Sequence, residues 1–146
     1  MKGVTLDRLL VFGMRGLIIK DPWIDLILSG YKKWEIRGSN TRIRGQIALI
    51  RSGSGLVVGQ CLLTDTIGPL TLKEMKRNIE KHRVPLKELK SRLPYKKTFA
   101  WVLQNAKSFS QPIPYKHPIG AVIWVNLDHL AVRIKESLRA SAMGKK

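Results

Sequence analysis

The sequence predicts a small α+β domain built around a curled sheet or barrel of five to six short strands, with helices around it. Three observations carry that expectation. Apolar runs of strand length recur at 17–19, 46–50, 56–64, 98–103 and 120–127, separated by breaks rich in Gly, Pro and Ser. Between them lie segments with helix start and stop signals instead of period-two alternation. The chain of 146 residues, 44% of them hydrophobic, fits one domain with an ordinary core.

Taken in order, Leu17-Ile18-Ile19 is a first strand. Asp21-Pro22 then predicts a helix over 22–29, with Asp21 as N-cap, Pro22 at the first helical position and Gly30 at the C-terminal stop. From Lys33 to Arg37 the alternation is β-like. Lys33, Glu35 and Arg37 share one face, and Trp34 and Ile36 the other. A turn at 38–41 leads to the strand 46–50, the loop Ser52-Gly53-Ser54-Gly55 and the strand 56–64, which together make a hairpin. After the Gly68-Pro69 break, 71–79 and 86–93 read as amphipathic helices, with Thr71 and Pro85 near their starts and Pro94 ending the second. A strand at 98–103 holds Trp101. Pro112, Pro114 and Pro118 imply a stiff loop over 109–118, and a last strand over 120–127 holds Trp124. Asp128 is placed to cap a C-terminal helix reaching about residue 140, with a frayed tail at 143–146.

Charge is the strongest compositional bias. The 27 Lys+Arg against 10 Asp+Glu give a formal net charge of +17, which points to a polyanionic partner, nucleic acid first. Ten of those cations and three glutamates fall within 73–97, the densest positive stretch. The single cysteine, Cys61, lies in an apolar strand and reads as a small core residue in a reducing compartment. His82, His117 and His129 are widely spaced with no cysteine partner, so no metal site and no cofactor are expected. The apolar piece Leu9-Leu10-Val11-Phe12 is too short to span a bilayer, and no cleavage site follows it. The expectation is a cytoplasmic protein without membrane contact.

The chemistry concentrates in Gly30-Tyr31-Lys32-Lys33-Trp34-Glu35-Ile36-Arg37. A lysine desolvated beside other cations becomes a base or nucleophile near neutral pH, and Arg37 could clamp a phosphate or carbonyl oxygen. Spacing alone favours a solvated cross-strand charge ladder. His82, between two basic helices, could act as acid or base or simply cap a helix end. Trp23 could border the cleft and stack a base, or pack in the core. The Ser52 loop has amides that could receive phosphate, without the lysine of a P-loop.

The segment 30–37 resembles the G-x-K-x-x-E-x-R signature of the ASCH domain family. Its surroundings agree: Pro22-Trp23 opens the preceding helix, Ile47-Ala48-Leu49-Ile50 follows, and Ala100-Trp101-Val102-Leu103 precedes Pro112-Ile113-Pro114-Tyr115-Lys116. The resemblance implies a PUA-like β-barrel over 17–127, an N-terminal extension over 1–16, and a basic C-terminal helix and tail over 128–146. It implies an RNA or nucleotide ligand in a cleft at the motif. Lys32, Glu35 and His82 are then the candidate catalytic residues, and Trp23, Lys33, Arg37, Ser52 and Lys116 the candidate substrate contacts. Some small members resemble ribonucleases, others metal-independent amidohydrolases that deacylate acetylated cytidine. In the latter type the motif lysine falls on Lys32, a threonine is replaced here by Glu35, and a glutamate falls near His82. The net charge of +17 tilts the expectation toward RNA binding or processing, with the stretch 73–97 steering entry. The alternatives are the amidohydrolase and a non-catalytic binder of modified bases.

Overall fold

The computed structural model describes residues 13–143. The extension expected over 1–16 falls outside that range except for its last four residues, as does most of the tail expected over 143–146. Among the described residues six strands, β1 (Arg15–Ile19), β2 (Trp34–Arg37), β3 (Gly45–Arg51), β4 (Leu56–Ile67), β5 (Phe99–Pro114) and β6 (Trp124–Asn126), form one sheet in the order β2-β5-β4-β3-β1-β6. Strands β1 and β3 pair in parallel, with Leu17 opposite Leu49, and the other neighbours are antiparallel. The described helices are α1 (Trp23–Leu28), α2 (Leu72–Arg77), α3 (Ile79–His82) and α4 (Ala131–Met143). The architecture is the expected α+β curled sheet, a half-barrel.

The curl is measurable. Strands β5 and β6 are four places apart in the sheet, which on a flat sheet is about 19 Å. Yet Trp101 on β5 stacks on Trp124 of β6 with ring centroids 5.7 Å apart. Register shifts between β4 and β5, at Val57/Gly59, Gln60/Leu62 and Leu63/Asp65, supply the extra coiling that such closure needs. Gly59 sits at one of them because a side chain there would strike the Lys107 carbonyl and Leu28 of α1.

Strand β3 is buried on both faces, so its apolar run is continuous rather than alternating. Ile47 and Leu49 face a cluster with Leu17, Ile24, Ile27 and Trp101, while Ala48 and Ile50 face Val57, Phe109, Leu127 and Ile134. Helix α4 shares the core through Ala131 and Ile134, with Leu130 just before it. A third cluster joins Trp34, Ile36 and Ala100 of the β2/β5 edge to Met75, Val84 and Leu89.

Several local expectations are corrected. Pro22 occupies the N-cap of α1, and Asp21 makes no cap; with Asp25 it pairs with Arg51 of β3, fastening the helix to the sheet. The 71–79 helix extends to His82 but breaks at Asn78, and Thr71 caps it through a full capping box with Glu74. The helix expected over 86–93 is only a 3-10 turn, Leu86–Leu89: Leu89 is fully buried and Leu93 packs partly on the same cluster, while Leu86 stays exposed. The stiff loop expected over 109–118 is instead largely strand, since β5 continues through Pro114 and pairs with β4 at Ile113 and Pro114. Its prolines are tolerated because β2 lines the other edge of β5 only at Phe99–Val102. The last strand contracts to Trp124–Asn126. Asp128 opens a 3-10 turn and accepts from the Met14 N–H at 2.7 Å, tying the start of β1 to the turn that precedes α4.

Candidate functional site

Gly30 places the motif. Its φ of +85° reverses the chain after α1, and the Lys32 N–H donates back to the Leu26 carbonyl at 2.9 Å. Tyr31 and Lys33 remain exposed, while the Lys32 side chain turns inward and the residue is 2% exposed. Its Nζ donates to the His82 carbonyl at 2.5 Å, lies 4.7 Å from the Trp23 ring centroid and is 3.8 Å from Glu35 Oε1. Glu35, 5% exposed, gives its other oxygen to Arg37, which donates through Nη2 at 2.8 Å and Nε at 3.2 Å. Arg37 also donates to the Ile18 carbonyl at 2.7 Å and lies over Trp101.

These groups floor a cleft of about 780 Å³. Its lining includes Trp23, Lys32, Glu35 and Arg37, and Ser52 with Gly53 on the loop after β3. Tyr115, His117, Tyr95 and Glu88 line the same cleft. Burial pushes the Lys32 ammonium down from 10.5 to about 8; Glu35 works against that shift and Arg37 adds to it. One of the three Lys32 donors is held by the His82 carbonyl, and the carboxylate beyond hydrogen-bond distance leaves the ammonium incompletely paired.

Of the residues singled out in the sequence, Trp23, Lys32, Glu35, Arg37 and Ser52 converge on the cleft. Lys33 does not. It lines a separate cavity of about 280 Å³ with Gly30, Leu103 and Asn105, and its backbone bridges Lys81 and Leu103. Lys116 is exposed between two lining residues without lining the cleft itself. His82 is fully buried. Its Nδ1 accepts from the Val84 N–H at 2.9 Å and its Nε2–H donates to the Met75 carbonyl at 2.6 Å. With both ring nitrogens committed, the ring has no proton to exchange with a ligand, and only its backbone carbonyl reaches the site. Burial, with the nearby Lys32 charge, holds the imidazole below its usual range despite the Met75 carbonyl.

Sequence reasoning missed Tyr115, His117 and Tyr95. His117 Nε2–H donates to the Ala121 carbonyl at 2.9 Å, which leaves Nδ1 to accept from the Tyr115 hydroxyl at 2.7 Å. Tyr95 rests where Gly38 has no side chain; a Cβ there would come within 2.9 Å of its ring. The one available signal was the Pro-rich segment ending at Tyr115. A second groove of about 910 Å³ adjoins the cleft, sharing Val84, Glu88, Pro94 and Tyr95, and carries Lys87, Lys90, Arg92 and Lys96. Among the described residues no three of His, Cys, Asp and Glu are grouped as metal ligands, and no helix is long and apolar enough to cross a membrane.

The ASCH domain family profile matches residues 17–113. Among solved structures, the ASCH protein of Zymomonas mobilis is similar at 13% identity, with a TM-score of 0.64 over 86% of this chain and 94% of that one. Two single-substitution mutants of that protein match at 14% and 16% identity, with TM-scores of 0.64 and 0.63 over 86% of this chain and 97% and 95% of theirs. At these identities the likeness is one of fold. No curated protein matches the sequence.

Proposed function

The chain belongs to the ASCH domain family, and from that premise we propose that it is an RNA-binding module that takes one nucleotide into the Lys32 cleft. The adjoining basic groove carries the flanking phosphates. The observation that carries this reading is the continuity of the two cavities: an aromatic-lined cleft opens directly onto a trough bearing four cations and one carboxylate. A base has aromatic faces to meet in Trp23, Tyr95 and Tyr115, and a polymer has phosphates to offer Lys87, Lys90, Arg92 and Lys96. A free nucleoside would leave the trough unused.

The test is affinity for a fluorescent single-stranded RNA oligonucleotide as a function of salt. Four phosphate contacts give a slope of log K against log salt of about −3, at about −0.7 per contact. Lys87→Gln with Lys90→Gln should weaken binding and reduce that slope by about 1.4. Affinity indifferent to salt would sink the reading.

A second reading, hydrolysis, is favoured by Lys32 itself. An amine with a pKa of about 8 is partly neutral at physiological pH and can accept a proton. As a ribonuclease, it would take the 2′-hydroxyl proton while that oxygen attacks phosphorus and the 5′ oxygen leaves, protonated by solvent. As an amidohydrolase, it would take a proton from water attacking the acyl carbonyl of acetylated cytidine, and the base would leave as its amine. Glu35 holds Arg37 beside the reacting group in both. Lys32→Ala should abolish either turnover while RNA affinity persists; turnover that survives the substitution removes Lys32 from the chemistry.

A further inference from the structure

We propose that His82 is a positioning residue: its buried ring braces the turn that delivers its own carbonyl to the Lys32 ammonium. The inference rests on the reading of the Lys32 cleft as the functional site, and it assigns the imidazole a role other than proton transfer.

The turn in question needs a brace. Helix α3 ends at His82, and Arg83 follows with φ of +64°, a conformation that a side-chain-bearing residue adopts only when its surroundings impose it. On either side of that residue the His82 ring closes the loop. Its Nδ1 receives the Val84 N–H, two residues ahead, and its Nε2–H binds the Met75 carbonyl, seven residues back in α2. The imidazole therefore pins the start of the next segment to the preceding helix.

Three contacts then cross from this turn to the motif segment. The Lys33 N–H donates to the Lys81 carbonyl at 2.8 Å, Arg83 Nε donates to the Tyr31 carbonyl at 2.9 Å, and Lys32 Nζ donates to the His82 carbonyl at 2.5 Å. The first two fasten the turn to the motif backbone, and the third reaches the functional amine.

A neutral ring is required. Nδ1 can accept from Val84 only without a proton, so a charged imidazole would set two N–H groups against each other. The charged groups facing Lys32 are Glu35 and Arg37 on β2, and neither touches the His82 ring. Near pH 8 His82 is uncharged, so replacing it removes no charge from beside Lys32. Any change in Lys32 titration then reports the displaced carbonyl.

The experiment is a pH titration of the protein alone, carrying lysine labelled with ¹³C at Cε, followed by NMR. In the wild type one lysine should titrate near pH 8. His82→Leu removes both ring bonds and should lower that midpoint by about half a unit or more, because a carbonyl that favours the ammonium is lost. His82→Asn, whose amide oxygen can still accept from Val84, should lie closer to wild type. Leu89→Ala, in the same core cluster as Met75 and Val84 but outside the turn, should reduce stability and leave the midpoint in place.

Should His82→Leu fail to fold, His82→Gln replaces it, since it can reach Met75 but not hold the Val84 amide. Midpoints unchanged in every folded His82 variant would overturn the brace. A midpoint shift without any RNA binding would uphold it and refute the binding reading instead.

Discussion

Lys32 should make the protein less stable at neutral pH than in alkali. The ordinary lysine value is 10.5 and the folded-state value about 8. Between them the unfolded chain holds a proton that the folded chain has released, so stability rises with pH across that window. Below pH 8 both states are protonated and the full cost of the buried charge is present. Above 10.5 it has gone. A difference of about 2.5 units corresponds to about 3.4 kcal/mol at about 1.36 kcal/mol per unit. Between pH 7 and pH 10 about 2.5 kcal/mol of that is recovered. The assay is urea unfolding of wild type and Lys32→Met at both pH values. Other lysines and tyrosines titrate in that range, but they do so in both proteins and cancel in the difference. The contact to the His82 carbonyl is absent from the variant at every pH, so its loss adds no slope of the variant's own. The wild-type minus variant stability should therefore climb by about 2.5 kcal/mol from pH 7 to pH 10. A difference that stays flat to within about 0.5 kcal/mol would mean that the ammonium is as well solvated in the fold as outside it, and would refute the reasoning.

Four further outcomes are expected. Glu35→Gln removes the anion that supports the Lys32 charge, so the lysine midpoint in the same NMR titration should fall further. Thr71→Ala breaks the capping box with Glu74 and should cost about 1 kcal/mol in urea unfolding. Gly59→Ala pushes a methyl group into the Lys107 carbonyl and Leu28, at a cost of about 1–3 kcal/mol, read as a lower urea midpoint. Burial holds the Cys61 thiol up at about 12, so a thiol reagent at pH 8 should react at the rate of unfolding rather than of a free cysteine.

Local signals in the sequence located what local forces decide. Gly30 marked the end of α1 because only a residue at ease with positive φ reverses the chain there, and Thr71 marked the start of α2 because its hydroxyl satisfies a free N–H. The motif residues Lys32, Glu35 and Arg37 were visible for the same reason, being three positions of one short segment. The rest depends on distant packing. The pattern over 86–93 has helical spacing, yet it forms a single 3-10 turn, with Leu89 fully buried, Leu93 partly so and Leu86 left exposed. The prolines at 112 and 114 read as strand breakers, and their tolerance follows from where β2 stops, ten residues earlier on β5, which leaves their own edge free of it. His82 looked like an acid or base in a basic loop. Its burial is set by Met75 and Val84, which close around it only once α2 and α3 dock on β2. Tyr115 and His117 were out of reach because only the folded sheet brings them into one cleft with Lys32, more than eighty residues away in sequence.

Arg37 joins the closure of the fold to the chemistry of the site. It stands on β2, at one edge of the sheet, and donates to the Ile18 carbonyl on β1, four strands away in sheet order. That bond spans the mouth of the half-barrel and helps hold the curl. The same guanidinium takes Glu35 Oε2 with two hydrogen bonds, leaving Lys32 only a carboxylate oxygen at 3.8 Å. Had the carboxylate been shared equally, the ammonium would have been stabilised and its proton held further into alkali. By occupying Glu35, Arg37 keeps Lys32 under-paired, and by its own charge it pushes the lysine further down. The curl that builds the cleft and the electrostatics that prepare its lysine therefore have one side chain in common. Arg37→Lys tests that coupling, because a lysine cannot make the forked pair with Glu35 while also reaching Ile18. It should raise the Lys32 midpoint and lower the urea midpoint together. A variant that moves one without the other would separate the two roles.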